Sequence, residues 1–186
     1  DFALGKALDD LGARDRAFAH FAAGNRAMHA RLRPDPEREA ALATRLRAMF
    51  ATPPPPLPPR GGGPRPVLVV GMPRSGTSLV TAILLAHPEA GGGGEYPFLA
   101  RAVEAAGADL YRPDGSALHR IREDYLARLA AATDAPVAVD KQPGNVFWLG
   151  HVAAAMPEAR ILHLARDPRA VGWSIYRRLF DAGSMG

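Results

Sequence analysis

The sequence predicts an α/β domain with a parallel sheet and helices on both faces, preceded by a small helical segment. Three short apolar runs alternate with amphipathic segments in the later part of the 186-residue chain, which is typical of a parallel sheet. The first fifty residues instead repeat apolar residues at helical spacing. We therefore divide the chain into a helical segment (1–50), a linker (51–66) and an α/β domain (67–186), which we expect to be incomplete at its C-terminal end.

The helical segment has the pattern of a helical hairpin. Leu4, Leu8 and Leu11 lie on one helical face, while Gly12 suits the end of one helix and Asp15 the start of the next. The stretch LGKALDDLGARDRAFAHFAAGNRAM resembles a single tetratricopeptide unit. This segment is expected either to cap the next domain or to contact another protein.

The linker reads TPPPPLPPRGGGPRP from Thr52 to Pro66 and contains no acidic residue. Proline cannot donate a ladder hydrogen bond and glycine is costly to order, so this composition predicts a spacer. A proline-rich ligand for an SH3-type domain is the alternative.

Three strands of the α/β domain are predicted, at Val67–Gly71, Val137–Asp140 and Ile161–Ala165. The predicted helices cover Ser75–Ala86, Pro97–Ala106, Asp114–Ala132, Asn145–Met156 and Pro168–Phe180. In parallel sheets ligands bind at the carboxyl ends of the strands. The loop after Gly71, the pair Asp140–Lys141 and Arg166 all follow such ends, so we expect a site there.

The loop in GMPRSGTSLV has almost the spacing of the nucleotide-binding P-loop. Gly71 and Gly76 are its two glycines, but Thr77 stands at the lysine position and Arg74 is the only cation in the loop. A glycine turn leading into a helix N-terminus gathers backbone N–H groups around an anion. The alternative is a strand-to-helix turn that binds no ligand.

A second candidate anion site lies in LHLARDPRAVGWSIYRRLF. Asp167 suits a helix N-cap and Pro168 the first helical position. Ser174 and Arg178 are four residues apart and are expected to share a helix face. With Arg166 at the strand end, they would supply two cations and a hydroxyl to a phosphate.

Composition restricts the remaining functional classes. The formal net charge is +4 with Lys and Arg dispersed, so we expect an anionic ligand but no nucleic-acid partner. The absence of cysteine excludes disulfides and thiolate metal sites and favours a cytoplasmic setting. No apolar run reaches about 20 residues, so this segment predicts no membrane span. The chain starts at Asp1 without methionine, and both ends are interpreted as cut.

Taken together, VLVVGMPRSGTSLV and RILHLARDPRAVGWS resemble the paired signatures of sulfotransferases that use 3′-phosphoadenosine 5′-phosphosulfate. The resemblance extends from about Val67 to Phe180. It is closest to the tetratricopeptide-bearing and tyrosylprotein branch, in which AHPE, a glycine run and a glutamate follow the loop. It implies a nucleotide sulfate donor, no metal, and a hydroxyl-bearing small molecule or peptide as acceptor.

The resemblance also implies roles for particular residues. The 5′-phosphosulfate would be bound by the loop residues Arg74, Ser75, Gly76, Thr77 and Ser78, and the 3′-phosphate by Arg166, Ser174 and Arg178. Glu95, in GGGGEYPFL, matches the catalytic base of the tyrosylprotein branch, and Lys141, in VDKQP, matches a lysine near the transferring group. Where that branch has an arginine shortly after the base, this sequence reads Tyr96-Pro97-Phe98.

Two other functions are compatible with parts of the sequence. VAVD, Val137–Asp140, imitates a Walker B strand whose aspartate would bind magnesium, as in a kinase or nucleotide hydrolase. The missing loop lysine argues against a triphosphate ligand. The third hypothesis is a non-catalytic helical-repeat adaptor, against which the intact loop argues.

Overall fold

The computed structural model describes residues 1–107 and 113–180. Its helices are α1 (Phe2–Asp10), α2 (Arg14–Leu32), α3 (Pro36–Met49), α4 (Thr77–Leu85), α5 (Phe98–Ala105), α6 (Gly115–Ala132), α7 (Leu149–Ala155) and α8 (Pro168–Tyr176). The strands are β1 (Arg65–Gly71), β2 (Ala90–Gly92), β3 (Val137–Asp140) and β4 (Arg160–Leu164), and a 3-10 helix covers Pro143–Trp148. The molecule is thus an α/β protein with an N-terminal helical segment, as the sequence predicts.

Helices α1 and α2 form a closely packed hairpin. Gly12 takes a φ of 77° at the turn between them, a conformation that favours glycine. A Cβ atom on Gly5 would lie 2.7 Å from the ring of Phe21, which is fully buried. Helix α2 begins at Arg14 after the N-cap Ala13, so Asp15 lies in its first turn and does not cap it.

The proline-rich stretch contains no helix or strand between residues 52 and 64, but it is fastened to the α/β domain. The Leu57 amide donates to the Ala154 carbonyl at 2.8 Å. Arg122 on α6 is buried and donates to the Pro58 carbonyl at 2.7 Å. The stretch therefore lies along α6 and α7. These contacts fix its path, so it differs from a free spacer whose span depends only on the number of residues.

The four strands form one parallel sheet in the order β2-β3-β1-β4. Strand β1 is central: Val67 pairs with Val139 of β3 on one side and with Arg160 of β4 on the other. The chain leaves β1 toward β2 and later returns to β1's other side with β4. This change of direction opens a crevice at the carboxyl end of β1, where parallel sheets bind ligands.

The main core fills one face of the sheet. Leu68 and Val70 of β1 pack there with buried residues of α5, α6 and α7. Val69 lies between them on the strand and points to the opposite face, where α4 contacts β1, β2 and β3. Strand β4 forms the exposed edge, with Ile161 and Leu162 both partly open to solvent.

Several element boundaries differ from the sequence-based ones. The helix predicted over Asn145–Met156 is a 3-10 helix followed by α7. Strand β2 is absent from the sequence-based prediction, because its residues Ala90–Gly92 belong to a glycine run of low strand propensity. The helix predicted over Pro168–Phe180 ends at Tyr176, which affects one candidate site residue.

Candidate active site

The loop between β1 and α4 has the shape of an anion cradle. The Ser75 amide donates to the Met72 carbonyl at 3.1 Å, closing a turn. Gly76 is the N-cap of α4 with a φ of 108°. The first amides of α4 have no partner within the helix, so they can donate to an anion bound at the helix N-terminus.

The loop approaches β4 so closely at Gly71 that only glycine fits this position. A Cβ atom on Gly71 would lie 2.7 Å from the Leu164 carbonyl oxygen and 2.8 Å from Ser75 Oγ. Any larger residue would push β1 and β4 apart at the crevice. Arg74 itself has a φ of 70°, a sparsely populated conformation for a residue with a side chain that is frequent at functional sites.

Arg74 connects the loop to helix α8. Its Nε donates to Ser174 Oγ at 3.1 Å, and Arg166 donates from a guanidinium nitrogen to the Arg74 carbonyl at 3.0 Å. Neither guanidinium forms an ion pair within residues 1–107 and 113–180. Within those ranges, two cations that form no salt bridge therefore lie beside the N-terminus of α4, although the charge of Arg166 contributes to the lowered pKa of Asp167.

The hydroxyl groups of the loop differ in exposure. Ser75 Oγ is buried and has no hydrogen-bond partner in the part of the chain that the structure describes. Thr77 is buried in the first turn of α4, whereas Ser78 is exposed. An unpaired buried hydroxyl is costly, so Ser75 is suited to donate to a ligand oxygen.

Helix α8 begins as the sequence predicts. The Asp167 side chain accepts from the amides of Arg169 at 2.8 Å and Ala170 at 3.1 Å, and Pro168 is the first helical residue. The hydrogen bond from the Ala170 amide is the main reason that the pKa of Asp167 is lowered. This cap orients α8 with Arg166 just before its start.

The expected position of Arg178 is wrong. The last residue of α8 is Tyr176, so Arg178 lies beyond the helix and does not share a helix face with Ser174. Its amide donates to the Ile175 carbonyl at 2.9 Å, and its side chain is exposed. Of the three residues expected around a 3′-phosphate, Ser174 and Arg166 hydrogen-bond to Arg74, whereas the role of Arg178, which follows the end of α8, stays a prediction.

Glu95 and Lys141 form an ion pair at the carboxyl end of β3. The Lys141 amide donates to the Gly94 carbonyl at 3.1 Å, which holds the segment before Glu95 against β3. The Lys141 side chain is 12% exposed and that of Glu95 is 56% exposed. The carboxylate thus lies at the protein surface, with the less exposed ammonium group beside it.

An aromatic pair adjoins Glu95. The rings of Tyr96 and Phe98 stack with centroids 4.6 Å apart and an angle of 4° between their planes. A Cβ atom on Gly94 would lie 2.3 Å from the Tyr96 ring, so glycine is needed for the ring to fold back there. A stacked aromatic pair therefore follows the carboxylate within three residues of the chain.

Asp140, the candidate magnesium ligand of the kinase hypothesis, is a core residue. It is fully buried, and its Oδ2 accepts from the Tyr125 hydroxyl at 2.8 Å and Asn145 Nδ2 at 3.0 Å. Burial raises the pKa of Asp140 to about 6, and burial is also the main reason that the pKa of Tyr125 is raised. Sequence reasoning missed this network, because nothing in the local pattern pairs a residue of α6 with β3.

No cluster of three or more His, Cys, Asp or Glu residues that could hold a metal occurs in the described ranges. None of the helices described there has the length and apolarity to cross a membrane.

The chain belongs to the sulfotransferase family, whose model matches residues 66–186. The match begins within β1 and includes the loop, the Glu95–Lys141 pair and α8.

Individual relatives are distant. An "Uncharacterized protein" of Aquifex aeolicus (strain VF5) is 33% identical over 139 residues, which cover 66% of this chain and 18% of the relative. A Caenorhabditis briggsae protein named "Putative protein-tyrosine sulfotransferase" is 29% identical over 120 residues, or 60% of this chain and 43% of the relative. "Nodulation protein NoeE" of Sinorhizobium fredii (strain NBRC 101917 / NGR234) is 29% identical over 137 residues, which cover 62% of this chain and 32% of the relative. The chain thus spans less than half the length of each of these relatives.

Proposed function

We propose that the protein transfers a sulfuryl group from 3′-phosphoadenosine 5′-phosphosulfate to a hydroxyl or phenol acceptor. The observation that carries this proposal is the junction of the loop with α8, where Arg74 contacts Ser174 and Arg166 contacts the Arg74 carbonyl. A donor with phosphate groups at both ends of a nucleoside requires two neighbouring anion sites. The loop and the pair Arg166 and Ser174, which lie before α8 and in its last turn, are such neighbours.

The 5′ end of the donor is assigned to the loop. Arg74 supplies a guanidinium fork, the α4 amides supply backbone donors, and Ser75 supplies a buried hydroxyl without a partner in the described residues. The 3′-phosphate is assigned to Arg166 and Ser174. Arg178 is left out of this assignment, because it lies outside α8.

The transfer step needs a base and a cation near the bridging oxygen. The acceptor oxygen forms a bond to sulfur while the bond from sulfur to the bridging phosphate oxygen breaks, releasing adenosine 3′,5′-bisphosphate. The Glu95 carboxylate takes the acceptor proton, and the Lys141 ammonium balances the charge that develops on the leaving oxygen. As in phosphoryl transfer, positioning and charge stabilisation supply most of the catalysis.

The acceptor is proposed to be aromatic. The Tyr96–Phe98 stack lies directly after the base and can contact the ring of a phenol. A protein tyrosine is one such phenol, and the name of the Caenorhabditis briggsae relative supports it. The tyrosylprotein branch has an arginine shortly after the base, whereas this chain has Tyr96-Pro97-Phe98. This difference makes a small phenol the other candidate acceptor.

Ligand-dependent thermal stability tests the donor. Adenosine 3′,5′-bisphosphate at about 100 times its Kd should add roughly 2.7 kcal/mol to the free energy of unfolding. ATP with magnesium should add little, since the loop lacks the P-loop lysine and Asp140 is buried on its own partners. Stabilisation by ATP with magnesium alone would favour a kinase or nucleotide hydrolase instead.

A further inference from the structure

Helix α8 is held in place by the helical hairpin as well as by the α/β domain. Phe18 of α2 stacks on Trp173 with centroids 6.2 Å apart and on Tyr176 with centroids 5.7 Å apart. Phe21 meets Trp173 edge-on at 6.3 Å. These rings bind one face of α8 to α2, although most of the chain separates the two helices in sequence.

Polar contacts fix the C-terminal end of α8. Asn25 Nδ2 donates to the Tyr176 carbonyl at 2.8 Å, which satisfies one of the last carbonyl groups of the helix. Asp9 of α1 accepts from Arg177 at 2.8 Å. The same guanidinium lies 5.4 Å from the Trp173 ring centroid. Because the Asp9 and Arg177 side chains are only 25% and 35% exposed, solvent screens this pair incompletely.

The contact between α8 and the sheet is small. Val171 is the only buried residue of α8, a helix described in full. Cavities lie on both sides of the helix: one of about 340 Å³ toward the loop and β4, lined by residues such as Met72 and Leu164, and one of about 440 Å³ toward the hairpin, beside Phe18 and Trp173. Because only one of its residues is buried, α8 depends on its specific contacts with the hairpin and the loop for its position.

We infer that the α1–α2 hairpin belongs to the donor site, with Asp9, Phe18 and Asn25 as positioning residues that act through α8. Ser174 follows Trp173, the residue that the hairpin holds, and its hydroxyl is the acceptor for Arg74. Loss of the hairpin contacts would let α8 shift and would separate Ser174 and Arg166 from the loop. This inference rests on the proposed function, in which the junction binds the nucleotide donor.

Binding measurements on matched variants of the full chain test the inference. Asp9→Asn and Phe18→Ala should each weaken binding of adenosine 3′,5′-bisphosphate by roughly three- to thirtyfold. Binding of adenosine 5′-phosphate, which lacks the 3′-phosphate, should change less. Asp10→Asn is the control, because Asp10 is the neighbouring acid on α1 but pairs with Lys6 instead of Arg177.

A charge exchange distinguishes positioning from general stability. The double variant Asp9→Lys with Arg177→Glu restores an ion pair of reversed polarity but loses the contact of Arg177 with the Trp173 ring, so it should bind the bisphosphate more tightly than Asp9→Lys alone. At saturating donor all these variants should retain turnover within about threefold of the parent, since uniform binding affects KM rather than kcat. A fall in melting temperature without a change in donor affinity would overturn the inference.

Hydrogen exchange provides a readout that needs no ligand. The amides of α8 and of loop residues 72–76 should exchange faster in Asp9→Asn and Phe18→Ala than in the parent or in Asp10→Asn. If the parent binds no bisphosphate, the proposed function fails, while this comparison still decides whether the hairpin orders α8. If the parent binds bisphosphate and the variants bind it equally well, the donor site stands and the positioning role is wrong.

Discussion

The Nε atom of Arg74 donates to the Oγ atom of Ser174 at 3.1 Å, across 100 residues of sequence. This hydrogen bond joins the loop after the central strand to a helix that follows the edge strand. The two sequence motifs that carry the family resemblance therefore meet in space at one end of the sheet. The proposed donor site depends on that contact and on the two guanidinium groups beside it.

Arg74→Ala should weaken binding of adenosine 3′,5′-bisphosphate by about tenfold or more, because charged hydrogen bonds contribute about 1.5–3 kcal/mol. It should also lower kcat, since Arg74 is assigned to the group that reacts. Isothermal titration calorimetry and initial rates measure the two effects. Arg169→Ala is the matched control: its side chain is 92% exposed on α8. Equal losses in both variants would indicate only a nonspecific effect of net charge.

Arg166→Ala and Ser174→Ala should change the preference for the 3′-phosphate. The bisphosphate should lose more affinity than adenosine 5′-phosphate, and Arg166 should have the larger effect because its bond to phosphate is charge-assisted. Arg178→Ala should leave this preference nearly unchanged, since Arg178 lies beyond α8. If Arg178→Ala lost affinity for the bisphosphate but not for adenosine 5′-phosphate, Arg178 would belong to the 3′-phosphate site after all.

Asp140 should make the stability of the protein depend on pH in the acid range. Its pKa is raised from 3.8 to about 6 by burial, so between these values the folded state binds a proton that the unfolded state has released. The free energy of unfolding should therefore fall by about 2 kcal/mol as pH rises from about 4 to 6, out of a total of about 3 kcal/mol between strongly acid and neutral pH. The stabilisation is fully present below pH 3.8 and is lost as pH rises through about 6.

Urea titrations at several pH values measure this dependence. Asp140→Asn resembles the protonated acid and can still bond to Tyr125, so its stability should change much less over the same range. Asp134→Asn is the control, because Asp134 is an exposed acid in the turn before β3, outside the buried network. If the free energy of unfolding of Asp140→Asn depended on pH as strongly as that of the parent, the pH dependence would belong to another group.

Much of the fold can be predicted from the sequence. The strand Val137–Asp140 agrees with the structure residue for residue, and β1 and β4 agree to within two residues at each end. Apolar runs that are too short for a helix and lie between amphipathic helices are readily assigned as buried strands. Strand β2 is beyond such a prediction, because its three residues form a strand by pairing with β3 in spite of their glycines.

The site is predictable only where local chemistry determines it. The cap of α8 depends on Asp167 and Pro168, which are adjacent in sequence. The Tyr176 carbonyl at the end of α8 accepts from Asn25, which is 151 residues away, and helical spacing alone does not reveal that the helix stops before Arg178. The burial of Asp140 likewise depends on Tyr125 from another helix. Contacts between distant segments leave no periodic signal in the chain.

Tyr96 should influence the choice of acceptor. Tyr96→Leu removes one ring of the stacked pair beside Glu95, so kcat/KM for a phenol should fall by about two- to tenfold, the range for one aromatic contact. An aliphatic alcohol should be affected less. Tyr96→Phe keeps the ring and should behave like the parent. A similar loss for both acceptors would mean that the ring supports the fold of the loop instead.

The central claim is tested most directly by sulfuryl transfer from radiolabelled 3′-phosphoadenosine 5′-phosphosulfate, catalysed by the parent and by Glu95→Gln. The parent should form labelled product with a phenol, and Glu95→Gln should bind donor normally but turn over about 10²–10⁴-fold more slowly. An acidic nitrophenol should recover part of that loss, because less proton removal is needed. Near-normal turnover of Glu95→Gln with an ordinary alcohol, or no transfer by the parent, would contradict the account.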